Sequence, residues 1–211
     1  MDKLRVFVYV DGSNFYNHLK DNYGKIPVDY FELASLMCKP EEVIKKICYF
    51  NAPVSQQDNP NGYVGQQTFF AKLRINPLIK IYLGSLRKRF YKKINVNCPQ
   101  CGPQEANVIQ CPGCMKNIDL LTCTRYSEKG VDVRLAITML LDALENKYDV
   151  AFLMSSDADF VPAIEHIVKK LKKDVIYCHF PKPKTNALHM ACTESRLLEK
   201  SYFEQAAVFH I

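Results

Sequence analysis

The sequence lacks any apolar stretch approaching the roughly 20 residues that a helix needs to cross a bilayer, so we expect no membrane-spanning segment. It also lacks a cleavable signal, because the N-terminal segment MDKLRVFVYV runs directly into a strand-like pattern. Internal repeats and low-complexity tracts are absent. Hydrophobic residues make up 48% and charged residues 24%, which excludes disordered and fibrous classes. These absences predict a globular cytoplasmic protein with no membrane partner.

A cluster of basic residues stands out from an ordinary charge distribution. Lysine and arginine number 28 against 22 aspartates and glutamates, and the net charge of +6 favours polyanionic partners only mildly. Five basic residues fall within seven positions, interrupted only by Phe90 and Tyr91. Such a patch predicts a nucleic-acid surface, where cations contact phosphates and each aromatic ring either stacks on a base or packs within its own segment. The predicted nucleic-acid-binding residues are Arg87, Lys88, Arg89, Lys92 and Lys93.

Apolar runs of strand length alternate with segments of helical periodicity along most of the chain. This alternation is typical of βαβ units around a buried parallel sheet, so it predicts the α/β class. The predicted strands are residues 6–10, 44–50, 79–83, 150–154 and 175–180. The predicted helices are residues 14–22, 30–37, 63–76, 131–147 and 160–172, with two short C-terminal helices at 186–191 and 199–208.

The alternation stops between residues 86 and 125. This stretch carries the basic cluster, five of the nine cysteines and three prolines, but no helical period. A structureless loop of that length is uncommon in a compact domain. We therefore predict an inserted module at 86–125, within a domain formed by residues 1–85 and 126–211.

Four of the nine cysteines form two C-x2-C pairs separated by nine residues. Four thiolates at this spacing close a tetrahedron around Zn²⁺ and leave no open coordination position for catalysis. Metal binding also supplies folding energy that so small a module cannot obtain from its own core. The sequence therefore predicts a four-cysteine zinc knuckle with one structural zinc per chain. Its predicted ligands are Cys98, Cys101, Cys111 and Cys114.

Acidic residues occur where three predicted elements reach one edge of the sheet. Asp11 directly follows the first strand, Asp157 follows the strand at 150–154 after two serines, and Asp132 lies in the first turn of a helix. In parallel α/β sheets the carboxyl ends of the strands and the N-termini of the helices meet at one edge. We therefore expect these acids to converge there.

Two interpretations of these acids are open. Asp157 could cap the helix that follows it, and Asp159 and Asp132 could simply favour the helix dipole. Alternatively, the acids bind a divalent cation, since neighbouring carboxylates raise one another's pKa unless a cation lies between them. Carboxylate oxygens are hard ligands that suit Mg²⁺ or Mn²⁺.

Three segments of the sequence resemble, in order and spacing, the signature of NYN domains, and especially the LabA-like branch of the PIN-like nuclease superfamily. They are VYVDGSNF at 8–15, KGVDV at 129–133 and SSDADF at 155–160. The resemblance covers nearly all of the chain outside 86–125. It implies a three-layer Rossmann-like PIN fold with an acidic Mg²⁺ or Mn²⁺ pocket that acts on RNA. The residues it implies are the metal-binding acids Asp11, Asp132, Asp157 and Asp159, with Asn14 steadying the first acid or the substrate.

One position departs from the family pattern. Many relatives carry a further acid about six residues after the counterpart of Asp132, where this chain has Thr138. Asp142, one helical turn further on, is the nearest candidate to replace it.

Together these patterns predict a metal-dependent ribonuclease that hydrolyses phosphodiester bonds. The alternative is a non-catalytic, zinc-containing nucleic-acid-binding protein with a degenerate pocket. A third interpretation rests on the segment DADFV at 157–161, which fits the D-x-D-x-V pattern of haloacid dehalogenase-like phosphatases. In those enzymes this motif comes early, whereas here only about fifty residues follow it. The sequence does not decide whether the protein forms a homo-oligomer.

Overall fold

The computed structural model describes residues 3–90, 94–120, 124–182 and 185–207. The chain divides into two compact units, one formed by the residues up to Gly84 and from Gly130 onward, the other by Ser85–Lys129. Within the described ranges, no helix is both long enough and apolar enough to cross a membrane.

The larger unit contains a sheet of six parallel strands. In chain order these are β1 (Leu4–Asp11), β2 (Glu42–Asn51), β3 (Ile79–Leu83), β10 (Val150–Met154), β11 (Asp174–His179) and β12 (Glu194–Leu197). Their order across the sheet is β12-β11-β10-β1-β2-β3. The predicted α/β fold with a central parallel sheet is confirmed.

Within this sheet, β12 is the strand that the sequence did not predict. Its four residues, Glu-Ser-Arg-Leu, contain no apolar run, so they carry no signal of a buried strand. The strand lies at the edge of the sheet, where charged side chains are common. The other five strands coincide with predicted ones to within two residues at each end.

Helices cover both faces of this sheet. They are α1 (Gly12–Tyr23), α2 (Tyr30–Met37), α3 (Pro60–Leu73), α4 (Val131–Leu144), α5 (Val161–Lys169), α6 (Asn186–Ala191) and α7 (Lys200–Ala207), and a single 3-10 turn (Ala158–Phe160) precedes α5. Helix α3 begins three residues before its predicted start, because the Asn59 side chain accepts the backbone N–H of Gly62 and Pro60 occupies the first turn.

The core consists of two layers of side chains, one on each face of the sheet. Val6, Val8 and Val10 of β1 belong to an apolar cluster that includes Phe15 of α1 and Leu33 of α2. Phe7 and Tyr9 alternate with these valines, and their rings pack on Tyr148, which follows α4. Helix α4 contacts β1 and β2 through a buried stripe. That stripe is formed by Val131, Leu135, Met139 and Ala143.

The strand order places a switch point between β1 and β10. From β1 the chain proceeds outward to β3 on one side, and after the inserted unit it proceeds from β10 outward to β12 on the other. In open α/β sheets, ligands bind in the crevice outside the carboxyl ends of the strands at such a point. The register pairs Val10 with Met154, so the residues that leave β1 and β10 emerge side by side.

The described residues of the smaller unit form three antiparallel strand pairs. Strand β4 (Ser85–Phe90) pairs with β9 (Thr124–Lys129), β5 (Ile94–Cys98) with β6 (Gly102–Ala106), and β7 (Val108–Gln110) with β8 (Asn117–Asp119). The last two pairs are hairpins, and each has a C-x2-C segment at its turn. This arrangement accounts for the lack of helical periodicity in the segment.

Candidate functional site

Asp11 is the buried carboxylate at the end of β1. Its side chain caps α1, because Oδ1 accepts the backbone N–H of Asn14 at 3.2 Å. The other oxygen, Oδ2, accepts the hydroxyl of Ser155 at 3.1 Å. Asp11 is only 5% exposed, so strand β1, helix α1 and the end of β10 together fix its carboxylate at the switch point.

Ser155 links Asp11 to the second acidic segment. The Ser155 hydroxyl is buried, donates to Asp11 and accepts the backbone N–H of Asp157 at 3.2 Å. The Asp157 side chain is half-buried and accepts the backbone N–H of Asp159 at 2.9 Å, which caps the 3-10 turn. Asp157 therefore caps a helical segment, as the simpler interpretation predicts, and Asp11 caps one as well. A cap uses one carboxylate oxygen, so capping does not exclude metal binding.

Asn14 joins the two strand ends a second time. Its Oδ1 accepts the backbone N–H of Ser156 at 2.9 Å. The Nδ2 group of the same amide therefore points away from Ser156 and supplies two N–H donors. Ser156 is held in turn by two residues from distant elements. The Tyr177 hydroxyl lies 3.3 Å from its Oγ, and the Thr185 hydroxyl donates to its carbonyl oxygen at 2.6 Å. Sequence reasoning missed both, because Tyr177 lies in an apolar strand and Thr185 in a polar turn.

Asp132 and Asp159 are both exposed. Asp132 lies in the first turn of α4, whose N-cap is Gly130 with φ +78° and no side-chain cap. Helix α4 contacts the 3-10 turn after β10, which agrees with placing its start at the same edge. Within the described ranges, no three Asp, Glu, His or Cys side chains lie close enough to bind one ion. Hydrogen bonds to Ser155 and Ser156 thus connect Asp11 and Asn14 to the segment that carries Asp157, but the described side chains of the four acids do not form one cluster.

Asp142 does not take the place of the missing acid at Thr138. The Thr138 hydroxyl donates to the carbonyl of Arg134 in the preceding turn. Asp142 is buried among other partners: it accepts the Tyr9 hydroxyl at 3.0 Å and pairs with Lys46 at 3.3 Å and with Lys147 at 3.1 Å. Burial, reinforced by nearby groups that include Asp142, raises the pKa of Tyr9 well above its ordinary value. Tyr9 therefore remains a neutral donor, and Asp142 serves the packing of α4.

The basic cluster lies in the smaller unit. Arg87, Lys88 and Arg89 are exposed on β4. Lys92, Lys93 and Tyr91 lie outside the described residues. Nucleic-acid binding by the cluster, and stacking or packing of its two aromatic rings, stay predictions.

Each C-x2-C segment forms a hydrogen-bonded turn of its own. The Cys98 sulfur accepts the backbone N–H groups of Cys101 and Gln100, and these hydrogen bonds lower the pKa of Cys98. Cys111 has a lowered pKa for the same reason, with Cys114 and Gly113 as donors. Among the described side chains, no three of these thiols come together. The zinc site stays a prediction.

Gly12, the first residue of α1, allows the start of this helix to lie close against β2. A β-carbon at this position would lie 2.3 Å from the Tyr49 hydroxyl oxygen and 2.8 Å from the backbone oxygen of Phe50. We expect Gly12→Ala to lower the free energy of unfolding by about 1–3 kcal/mol in urea titrations, as other overpacking changes do. Gly65→Ala is the matched control, since nothing lies within 4 Å of a β-carbon in that helix position. It should stabilise by about 0.5–1 kcal/mol. Equal stability of the two variants would contradict the close approach.

Comparison with known proteins agrees with this fold. A protein of unknown function from Vibrio parahaemolyticus, solved by crystallography, shares the fold with a TM-score of 0.60. The likeness covers 94% of each chain at 18% sequence identity. No protein with a curated description is significantly similar to the chain. The family model of the NYN domain, however, matches residues 5–199. The chain therefore belongs to the NYN domain family.

Proposed function

We propose that the protein is a cytoplasmic ribonuclease that hydrolyses RNA with the help of Mg²⁺ or Mn²⁺. The NYN family belongs to the PIN-like nuclease superfamily, which supports the reaction class. The observation that carries the proposal is the buried Asp11 carboxylate at the switch point of the sheet, which the Ser155 hydroxyl links to the backbone N–H of Asp157. The carboxylate lies at the switch point, which is where an open parallel sheet binds its ligands.

The donor set fits a hard divalent cation. Mg²⁺ commonly uses one or two protein carboxylates and completes its octahedron with waters and substrate phosphates. Asp11 and Asp157 would hold the ion, and Asp132 and Asp159, which match the family's motifs, would complete the acidic pocket. When bound, such an ion lowers the pKa of a water and neutralises charge on the phosphate that is attacked.

The surrounding residues of the chain position these groups. Ser155 fixes the orientation of Asp11, so the carboxylate does not have to reorganise when substrate binds. Asn14 presents its Nδ2 hydrogens as donors for a phosphate oxygen of the RNA. Tyr177 and Thr185 hold Ser156, and through its N–H they hold the Asn14 amide. Products with a 5′-phosphate and a 3′-hydroxyl are expected by resemblance to the superfamily.

Cleavage of labelled RNA tests the proposal. Purified protein should cut single-stranded or structured RNA when Mg²⁺ or Mn²⁺ is added, and an excess of chelator should stop the reaction. Fresh Mg²⁺ should then restore it. Binding of RNA without cleavage under any of these conditions would favour a non-catalytic nucleic-acid-binding protein instead.

We also propose that the inserted unit binds one structural Zn²⁺ through Cys98, Cys101, Cys111 and Cys114. The donor set supports this, because each hairpin turn directs backbone N–H groups at a sulfur and so stabilises the thiolate, the form of cysteine that binds metal. Elemental analysis should find about one zinc per chain.

A double substitution, Cys98→Ser with Cys111→Ser, should remove this zinc. Cys192→Ser is the matched control, because burial raises the pKa of the Cys192 thiol to about 12, which makes it a poor metal ligand. A fully folded insertion that contains no metal, or a zinc content unchanged by the double substitution, would contradict the site.

A further inference from the structure

The ladder between β4 and β9 sorts the basic residues onto two faces. Its register places Arg87 opposite Ser127 and Leu86 opposite Glu128. Directly opposite residues of an antiparallel pair share a face, and successive residues along a strand alternate between faces. One face therefore carries Ser85, Arg87, Arg89, Ser127 and Lys129, and we call it the arginine face. The other face carries Leu86, Lys88, Tyr126 and Glu128.

The two faces differ in how their charges are compensated. Arg87, Arg89 and Lys129 are exposed, make no ion pair within the described part of the chain, and share their face with serines and no acidic residue. Arg125 occupies the register position opposite Arg89. On the other face, the Lys88 ammonium lies 5.9 Å from the centroid of the Tyr126 ring.

The described part of the basic cluster is therefore divided between the two faces of the ladder. Positive charges along the arginine face recur every second residue, about 7 Å apart, and no ion pair from the described residues offsets their mutual repulsion. Guanidinium groups match phosphate oxygens in pairs, and serine hydroxyls are common partners of phosphates. This composition suits a polyanion whose charges repeat along a strand.

We propose that the arginine face binds the phosphate backbone of an RNA strand, and that Lys88 takes no direct part. The inference rests on the proposed function, which supplies RNA as the polyanion. It assigns phosphate contacts to Arg87, Arg89 and Lys129. Such contacts carry no sequence information, so binding through this face is insensitive to base sequence.

Salt dependence of binding tests the assignment. The full-length protein, without added divalent ions, is titrated into a fluorescein-labelled single-stranded oligouridylate, and anisotropy is measured between about 50 and 300 mM KCl, a range over which phosphate contacts weaken strongly. Each phosphate contact on a single strand contributes about 0.7 to the slope of log K against log salt. The double variant Arg87→Gln with Arg89→Gln should therefore have a slope shallower by about 1.4, and an affinity on the order of 25-fold lower at about 0.1 M salt.

Lys88→Gln is the matched control, because it removes one positive charge from the same strand but from the opposite face. It should leave the slope unchanged, and all variants should retain the circular dichroism and zinc content of the parent protein. Equal slopes for the parent and the double arginine variant would overturn the proposal. So would a loss of affinity in Lys88→Gln as large as that of the double arginine variant. Competition by polyglutamate as effective as that by unlabelled RNA would overturn it too.

These outcomes are separable from failure of the proposed function. If the double arginine variant binds normally while the parent protein cleaves RNA with Mg²⁺, the arginine face is wrong and the nuclease stands. If the slope falls as expected while no condition gives cleavage, the RNA-binding face stands and the nuclease proposal fails.

Discussion

Substituting Asn for Asp11 should reduce metal-dependent RNA cleavage on the order of 10³-fold, because a divalent ion supplies several kcal/mol of transition-state stabilisation. The substitution removes the charge that would hold the ion but keeps an oxygen that can accept the Asn14 N–H. Asn is as good an N-cap as Asp, so the stability of α1 should change little. The variant therefore separates the proposed metal binding by Asp11 from its capping of α1.

The measurement is kcat on a labelled RNA, with urea denaturation of the same preparations. Asp157→Asn should behave similarly, since Asp157 also caps through one oxygen. Asp142→Asn is the informative control: it should lower stability, because Asp142 pairs with Lys46 and Lys147, while the activity per folded molecule is retained. Cleavage that survives in the combined Asp11→Asn and Asp157→Asn variant would exclude this site.

The largest effect on stability is expected from Arg196→Met. Arg196 donates to both oxygens of Glu42, at 2.7 and 2.8 Å, and to the carbonyl of Met37, and its guanidinium lies 4.8 Å from the Phe152 ring centroid. The Glu42 side chain is only 4% exposed, so the substitution leaves a buried carboxylate without its cation. Breaking such a pair costs about 3–5 kcal/mol, which corresponds to a fall in Tm of roughly 10 °C.

Lys39→Met provides the matched comparison. Lys39 and Arg196 both pair with Glu194, but the Lys39 pair is solvent-exposed, with 47% and 35% of the two side chains accessible. Its removal should cost less than about 1 kcal/mol. If the two substitutions cost the same, Glu42 does not depend on Arg196.

Lowering the pH should reduce the free energy of unfolding of the parent protein more than that of the Arg196→Met variant. Burial raises the pKa of Glu42, but hydrogen bonds from Arg196 and from the Lys39 backbone outweigh it and leave that pKa lowered. The Arg196 hydrogen bond also lowers the pKa of Glu194, from 4.5 to about 2. Folded pKa values below the unfolded ones give stability that is present above about pH 4.5 and is lost as the pH falls toward about 2. Urea midpoints measured across this range should converge for the two proteins.

The position of the candidate site was predictable in part, because it depends on where strands end. Asp11 and Asp157 each follow an apolar run, and parallel strands must bring such ends to one edge. The contacts of Tyr177 and Thr185 with Ser156 were not predictable, since they depend on how the chain returns to the sheet after α5. Sequence spacing also could not decide the role of Asp142, which burial and two lysines determine.

The basic cluster shows a different limit. Reading it along the chain gives one patch, and only the register between β4 and β9 divides it between two faces. That register depends on β9, whose residues begin more than thirty positions later in the chain. Residues of β9 such as Lys129 therefore join the arginine face without any local signal.

The pairing of Ser85 with Lys129 has a consequence for how this chain tolerates change. Opposite residues of an antiparallel ladder have Cα atoms about 5 Å apart, so the first and last residues of the inserted unit lie side by side. For the larger unit, residues 85–129 are thus equivalent to a short turn between β3 and α4. The entropy cost of closing this connection hardly depends on how many residues the inserted unit contains. The inserted unit should therefore be removable: joining Gly84 to Gly130 through a tight turn should leave the parallel sheet of the NYN domain intact. Other folded units could be inserted at the same junction.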